Sequence, residues 1–383
     1  MLSRKKIILG IMLLAFFAGG FFSGIYYSGN LAKEAYMPSS SSDGMENERT
    51  DTVQSGSSKV VIGYVQDFRN PEEIDFTAFT HILFSFAHPT ADGSVLFNGG
   101  MARENLRKTV SLAHREGTKA ILAVGGWYHI QGGQSYPYFS AAISNPEARK
   151  NLVNNLIHIV ETENLDGIDL DFEHPRTERD AANLELLAQE LSERLRPAKK
   201  ELSIAVHSKI NAVTGETVES VIYTPGIFKA ADHVNIMAYD GQWDGGYHAK
   251  NLAPYGFTKN IVRYWSSMFD QLGIPREKLV LGLPLYGQPE NQEAKQVSYA
   301  AIVENYPSYA REDTIAMNGT VYFYNGVETV KKKTRLAMAN NFGGLMLWEA
   351  GHDSKGETSL ARAIGDEMKS ISFSAAKGNS HRK

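Results

Sequence analysis

The stretch that decides the fold is Asp166-Gly167-Ile168-Asp169-Leu170-Asp171-Phe172-Glu173. Along a strand, side chains alternate between two faces. Asp169, Asp171 and Glu173 then share one face, and Ile168, Leu170 and Phe172 share the other. Successive acids on such a face stand about 6–7 Å apart and repel one another. The apolar face requires something to pack against. A half-exposed antiparallel strand would leave the acidic face wet. In a parallel barrel the acids point inward instead, where each is costly unless it shares protons and hydrogen bonds. Carboxylates stacked at that cost point to function.

Outward from this stretch, short apolar runs alternate with longer amphipathic ones. The pattern predicts strands over 59–65, 81–87, 119–127, 166–173, 202–207, 234–240, 278–286 and 343–349. Helices are predicted over 102–116, 145–164, 178–195, 258–272, 327–340 and 357–369. Asn145 caps the second of these, with Pro146 at its first position. The strands are nearly continuous apolar runs, as strands covered on both faces must be. An α/β fold follows, a (β/α)8 TIM barrel in preference to an open doubly wound sheet. No Gly-rich dinucleotide fingerprint follows the first strand, and no phosphate-cradling loop precedes a lysine. The connection 288–325 exceeds ordinary barrel loops and carries Tyr322-Phe323-Tyr324. It reads as a small insertion after strand seven, lining one side of a groove. The barrel domain is expected over 59–369, with a disordered tail over 370–383.

The chain has 383 residues, 43% hydrophobic and 21% charged, with a formal net charge of −4. No basic excess points to nucleic acid. The absence of cysteine excludes disulfides, thiolate metal sites and a cysteine nucleophile. Arg4, Lys5 and Lys6 precede an apolar run over 7–27, the pattern of an export signal. Residues 7–17 make a signal core, with Ala18-Gly19-Gly20 offered for cleavage. Alternatively the whole run anchors the protein in the membrane. Both place the remainder outside the cytoplasm. Residues 28–58 are polar and Ser-rich, with too few apolar side chains to repay their ordering entropy, and read as a flexible linker.

In a barrel of this kind the active site lies at the C-terminal ends of the strands. Those ends carry Tyr64, Phe86, Gly126 with Trp127, Glu173, then Met237, Tyr239 and Asp240, then Tyr286 and Trp348. Aromatic rings thus rim a carboxylate centre, as suits the flat apolar faces and hydroxyls of a sugar. Glu173, nearest the mouth, is the expected general acid. Asp171, one pleat deeper, shares a proton with it. Asp169 passes hydrogen bonds or protons to Asp171. Asp166, at the strand entrance, reads as structural. Ordinary glycosidases flank the scissile bond with two carboxylates, whereas these acids approach from one side. Either another strand supplies the second acid, with Asp240 the candidate, or the substrate supplies the nucleophile. An N-acetyl group at C2 of the sugar can do the latter, oriented by Tyr239 and Asp240 over Trp348.

The stretch 166–173 resembles the D-x-x-D-x-D-x-E signature of glycoside hydrolase family 18, the chitinases and their relatives. Met237-Ala238-Tyr239-Asp240 is similar to that family's M-x-Y-D segment. Ala123-Val124-Gly125-Gly126 resembles its S-x-G-G segment with alanine in place of serine, and Trp348 falls at its strand-eight tryptophan. The resemblance covers about 59–365. It implies that Glu173 is the acid/base, that Asp171 orients the acetamido group and that Tyr239 bonds it. It further implies a retaining, substrate-assisted hydrolase of β-1,4-linked N-acetylglucosamine polymers. Gln288 stands where many relatives have arginine, so one substrate contact is expected to be weaker; the insertion is shorter than in processive chitinases, so a shallower groove and lower processivity are expected.

The partner expected is chitin or an oligosaccharide containing N-acetylglucosamine. No cofactor and no metal are expected, and the protein is read as a monomer. His129, His174, His207, His233, His248 and His352 lack metal-ligand spacing and read as surface or core residues. The His174 side chain is expected on the strand face opposite Glu173. Lys331-Lys332-Lys333 reads as a solvated helix face. Alternative readings are an endo-β-N-acetylglucosaminidase acting on N-glycans or peptidoglycan, a chitin-binding lectin on an inactive barrel, and a metal-dependent hydrolase.

Overall fold

Eight parallel strands close into a barrel in the computed structural model, which describes residues 59–380. The expected signal or anchor (1–27), the linker (28–58) and the last three residues of the chain lie outside the described residues.

The chain begins with β1 (Val60–Gln66), β2 (His81–Pro89) and the short β3 (Val95–Leu96), then α1 (Gly99–Arg115) and β4 (Lys119–Gly125). Next come α2 (Tyr136–Ser144), α3 (Pro146–Thr162), β5 (Gly167–Asp171) and α4 (Glu178–Leu195). They are followed by β6 (Glu201–His207), α5 (Pro225–Ala230), β7 (His233–Met237), α6 (Tyr255–Gln271) and β8 (Leu279–Pro284). The insertion holds β9 (Tyr286–Pro289), β10 (Val297–Ser298), α7 (Tyr299–Asn305), β11 (Thr314–Met317) and β12 (Thr320–Phe323). The chain then returns through α8 (Val327–Ala339) to β13 (Gly344–Trp348) and α9 (Leu360–Ser380).

The barrel order is β1-β2-β4-β5-β6-β7-β8-β13, and the parallel pairing of β13 with β1 closes it. The side-chain alternation of β5 is as read. Ile168, Leu170 and Phe172 point out and are buried under the helices. Phe172 stacks on Phe139 at 4.7 Å and on Tyr136 at 5.4 Å between ring centroids. Burial of such a side chain stabilises by about 1.5–3 kcal/mol. Inside the barrel, Ile62, Leu83, Ile121, Ala123, Val280 and Met346 form a separate apolar cluster. Asp169 and Asp171 are buried within this interior.

The helix caps hold the loops. The Asn145 side chain accepts from the Glu147 and Ala148 amides at the start of α3. Thr177 and Asp180 form a capping box on α4, four residues after Glu173. Asp180 also accepts from the Tyr136 hydroxyl at 2.9 Å and the Ser140 hydroxyl at 3.0 Å, which pins the β5–α4 loop to α2. Asp166 accepts from His114 Nε2 at 2.7 Å and from the Ala120 amide at 2.9 Å, the structural role expected of it.

Several expectations need correction. The last helix does not stop at Lys369; it continues to Ser380, so residues 370–380 are helical instead of a disordered tail. From Ser370 to Lys377 there is no glycine or proline to end it. Tyr286 does not end barrel strand seven. β8 stops at Pro284, and Tyr286 opens β9 in the antiparallel insertion sheet β10-β9-β12-β11. Lys333 is not on a solvated face. It is fully buried, and its ammonium donates to Ala253 O and Asn325 Oδ1 at 2.6 Å each. Among the described residues no helix is long and apolar enough to cross a membrane.

Candidate active site

The inward acids of β5 climb from the middle of the barrel to its mouth. Asp169 is fully buried and meets three donors: Ser203 Oγ at 2.5 Å, Tyr64 OH at 2.7 Å and Asn235 Nδ2 at 3.1 Å. Ser203 lies opposite Asp169 in the β5–β6 register, and Ala123 lies opposite it on β4. The hydroxyl missing at Ala123 is thus matched by donors from the other strands. Burial raises the Asp169 carboxyl to about 6, with the three hydrogen bonds working against the rise.

Asp171 lies one pleat nearer the mouth. Burial, then Glu173 and Asp169, push its carboxyl well above the usual range. Its Oδ1 is buried and makes no hydrogen bond within the protein. Glu173 follows the end of β5, with its side chain 17% exposed. Burial and then the neighbouring Asp240 raise its carboxyl to about 8. At neutral pH Glu173 therefore carries a proton, the form a general acid needs.

The backbone of β4 makes room for these acids. Gly125 has φ +117°, and a Cβ there would stand 2.2 Å from the Asp171 carbonyl oxygen. The Gly126 amide donates to that same oxygen at 2.9 Å. Gly126 has φ +78°, and its Cβ would collide with the Phe86 ring at 2.7 Å. Two glycines are required because the chain turns here at left-handed φ with no space for a side chain.

Across the mouth, Tyr239 is buried, and its hydroxyl stands 3.9 Å from Met346 Sδ. Burial and the surrounding carboxylates raise it well above the ordinary phenol value, so it remains a neutral donor. Asp240, in the left-handed conformation at φ +63°, accepts from Tyr286 OH and from Gln242 Nε2 at 3.0 Å. Trp348 stacks on Phe86 at 5.8 Å and tilts over Tyr64 at 5.5 Å. Met237 ends β7 half-buried, and Trp127 is 40% exposed on the loop after β4. Among the described residues three non-proline peptide bonds are cis, Ser85–Phe86, Glu173–His174 and Trp348–Glu349, all at this end of the barrel.

Glu173, Asp171, Asp169, Tyr239, Asp240, Trp348 and Phe86 thus converge as read. Tyr64 and Tyr286 do so in another capacity: both are buried, one donating to Asp169 and the other to Asp240. These hydrogen bonds tie each tyrosine to one of the acids. His174 is on the side of Glu173, not opposite it. Its Nε2 is 3.6 Å from Glu173 Oε2, and its ring meets His207 edge-on at 5.0 Å. Burial, then His207 and Arg176, hold His174 neutral, so it brings no positive charge to Glu173. Gln288 is buried; its amide donates to Tyr247 OH at 2.8 Å and its carbonyl accepts from Gln296 at 2.6 Å, joining the insertion to the β7–α6 loop.

Ser203 and Asn235 belong to no motif in the sequence. Each interrupts an apolar strand, Leu202-Ser203-Ile204 and Val234-Asn235-Ile236. A polar residue at an inward position of a barrel strand is the signal that identifies such partners.

The sequence profile of Glycosyl hydrolases family 18 matches residues 60–353. The chain belongs to this family. It is 33% identical over 241 residues to Probable chitinase 10 of Drosophila melanogaster, covering 57% of this chain and 10% of that much longer protein. It is 24% identical over 347 residues to Endochitinase 1 of Metarhizium robertsii, covering 76% of this chain and 79% of that one. Among solved structures it is similar to the family 18 chitinase ChiB of Flavobacterium johnsoniae, with TM-score 0.67 and 26% identity over 82% of this chain and 95% of the other. As a family 18 member the chain is a glycosidase with the (β/α)8 barrel of its relatives.

Proposed function

We propose that this family 18 protein hydrolyses β-1,4-linked N-acetylglucosamine polymers, chitin or its oligosaccharides, outside the cytoplasm by a retaining, substrate-assisted mechanism. One observation carries the reading. Asp171 Oδ1 is buried without a partner one pleat from Glu173, whose carboxyl sits at about 8. A buried acceptor in that position has its need met by an N–H donor on the substrate. The acetamido group at C2 of the sugar supplies such a donor and, through its carbonyl oxygen, the nucleophile as well.

Glu173 protonates the glycosidic oxygen as the bond to the leaving sugar breaks. The acetamido carbonyl oxygen bonds to the anomeric carbon from the opposite face and forms a cyclic oxazolinium ion. Asp171 accepts the acetamido N–H, and Tyr239 OH donates to its oxygen. Glu173, now ionised, takes a proton from the water that opens the ring, so two inversions retain the anomeric configuration. Asp240 is occupied by Tyr286 and Gln242, which suits a positioning role better than attack. The names of the chitinase relatives support the substrate class. The basic and apolar N-terminal run supports export or membrane anchorage.

A product time course on a labelled chitin hexamer tests the proposal. Cleavage lost in Glu173→Gln supports it. Equal cleavage of fully deacetylated hexamer overturns it, because a free amine has no carbonyl oxygen to attack with.

A further inference from the structure

The opposite end of the barrel carries a second polar cluster that hydrolysis does not use. His81 opens β2, Glu201 opens β6 and His233 opens β7. The β5–β6 register pairs Glu201 with Gly167, six residues before Glu173, so the cluster lies roughly 20 Å from the catalytic acid. His81 Nε2 is 2.9 Å from Glu201 Oε2, and His233 Nε2 is 3.8 Å from that same oxygen. One ligating atom from each residue lies within 4.8 Å of the other two. The separation of 120 residues between His81 and Glu201 hides this grouping from any spacing rule.

We propose that His81, Glu201 and His233 form a divalent-metal site of the class that takes Zn2+, with the fourth position open to water. Two imidazoles and one carboxylate are a zinc donor set, and a tetrahedral ion holds them about 2.0–2.2 Å away. Ligands at that radius stand about 3.3–3.6 Å apart, so the two histidine separations from Glu201, 2.9 and 3.8 Å, need only small adjustments. One ligand is already oriented from behind. Thr80 Oγ1 lies 2.8 Å from His81 Nδ1 and donates its own proton to Val61 O at 3.1 Å. It can therefore accept from Nδ1–H, which leaves Nε2 facing the carboxylate, the outer support common to metal-bound histidines. Glu201 and His233 are partly exposed, at 21% and 16% of their side chains, while His81 is buried at 5%.

Lys119 is the competitor. Its ammonium pairs with Glu201 Oε1, the oxygen turned away from the histidines. It is 48% exposed and can swing into water when a cation arrives. A bound ion would tie together the starts of β2, β6 and β7. The alternative is a plain polar cluster, in which His81 links Thr80 to Glu201 and no metal is needed.

Calorimetric titration of the full chain with Zn2+ alone, without an affinity tag and after chelator treatment, separates the two. The site predicts one Zn2+ per chain with Kd of about 1 μM or tighter. His81→Asn and His233→Asn should each weaken binding by about 10–100-fold, while Lys119→Met tightens it. Zinc at a hundredfold excess over Kd should raise Tm by roughly 3–6 °C in the wild type and not in the histidine variants. Chelator-treated protein should keep its hydrolytic activity, so this inference stands or falls apart from the catalytic proposal. If the histidine variants do not fold, Co2+ added to the wild type gives the answer: the intense visible bands of four-coordinate Co2+, erased by Zn2+, are expected. Absence of saturable zinc binding, binding unchanged in the histidine variants, or a purely octahedral Co2+ spectrum would overturn the site.

Discussion

Glu173 holds its proton because the fold takes its carboxyl out of water and sets Asp240 nearby. Replacing it with Gln keeps the shape and removes the transferable proton. Hydrolysis should fall by about 10²–10⁴-fold, read as kcat on chitin hexamer. The sign of the pH response follows from the same carboxyl. The acid form is required, so activity should be lost as pH rises through about 8. Asp240→Asn removes a repelling charge, so the alkaline limb of that profile should move to lower pH. Stability carries the same signature. The folded protein keeps a proton that the unfolded chain releases near 4.5, so this group's stabilising contribution declines between about 4.5 and 8. Above pH 8, Glu173→Gln should be the more stable protein by on the order of 1–3 kcal/mol in denaturant titration. Equal stability of the two proteins at pH 9 contradicts the elevated carboxyl.

At the scale of the element, β4 and β5 place the acids by touching where no side chain fits. Gly125→Ala would drive a Cβ to 2.2 Å from the Asp171 carbonyl oxygen at a φ that L-residues avoid. It should cost about 3 kcal/mol or more and abolish hydrolysis, as followed by thermal melts and the hexamer assay. Ser203→Ala removes one of three donors to Asp169 while leaving Tyr64 and Asn235 in place. A loss of about 1–2 kcal/mol is expected, with the Asp169 carboxyl rising further. The period-two pattern of residues 166–173 made β5 and its two faces legible, because a one-residue slip would bury the wrong set. Asn145-Pro146 made α3 legible for an equally local reason. The end of β8 was not legible: Leu285-Tyr286 continues the apolar run, yet β9 pairs with β10 and β12 in another sheet. The tertiary partner, absent from any local window, decides where that strand stops. Lys333 is the same lesson in a helix, since its partners Ala253 and Asn325 come from elsewhere in the chain.

At the scale of the whole molecule, the eight-strand order and the active-site end could be read because apolar runs and strand-end residues recur through the chain. What crosses the barrel could not. Ser203 and Asn235 reach Asp169 from β6 and β7, and His81 meets Glu201 over a gap of 120 residues. Side-chain meetings across a closed sheet depend on tilt and register, which a linear pattern does not carry. The insertion, four strands of two to four residues and one seven-residue helix, joins the site through Tyr286 on Asp240 and Gln288 on Tyr247 and has little bulk. Crystalline chitin should therefore be cleaved with few successive cuts per encounter, measured as a low ratio of dimer to odd-length products.

The central claim is that the sugar's own acetamido group performs the displacement while Glu173 handles the proton. Proton NMR of a chitin hexamer digest, recorded before mutarotation equilibrates the products, tests it most directly. Two inversions at the anomeric carbon predict that the newly formed reducing ends appear first as the β-anomer. An initial excess of the α-anomer would mean single displacement by water and would contradict the account.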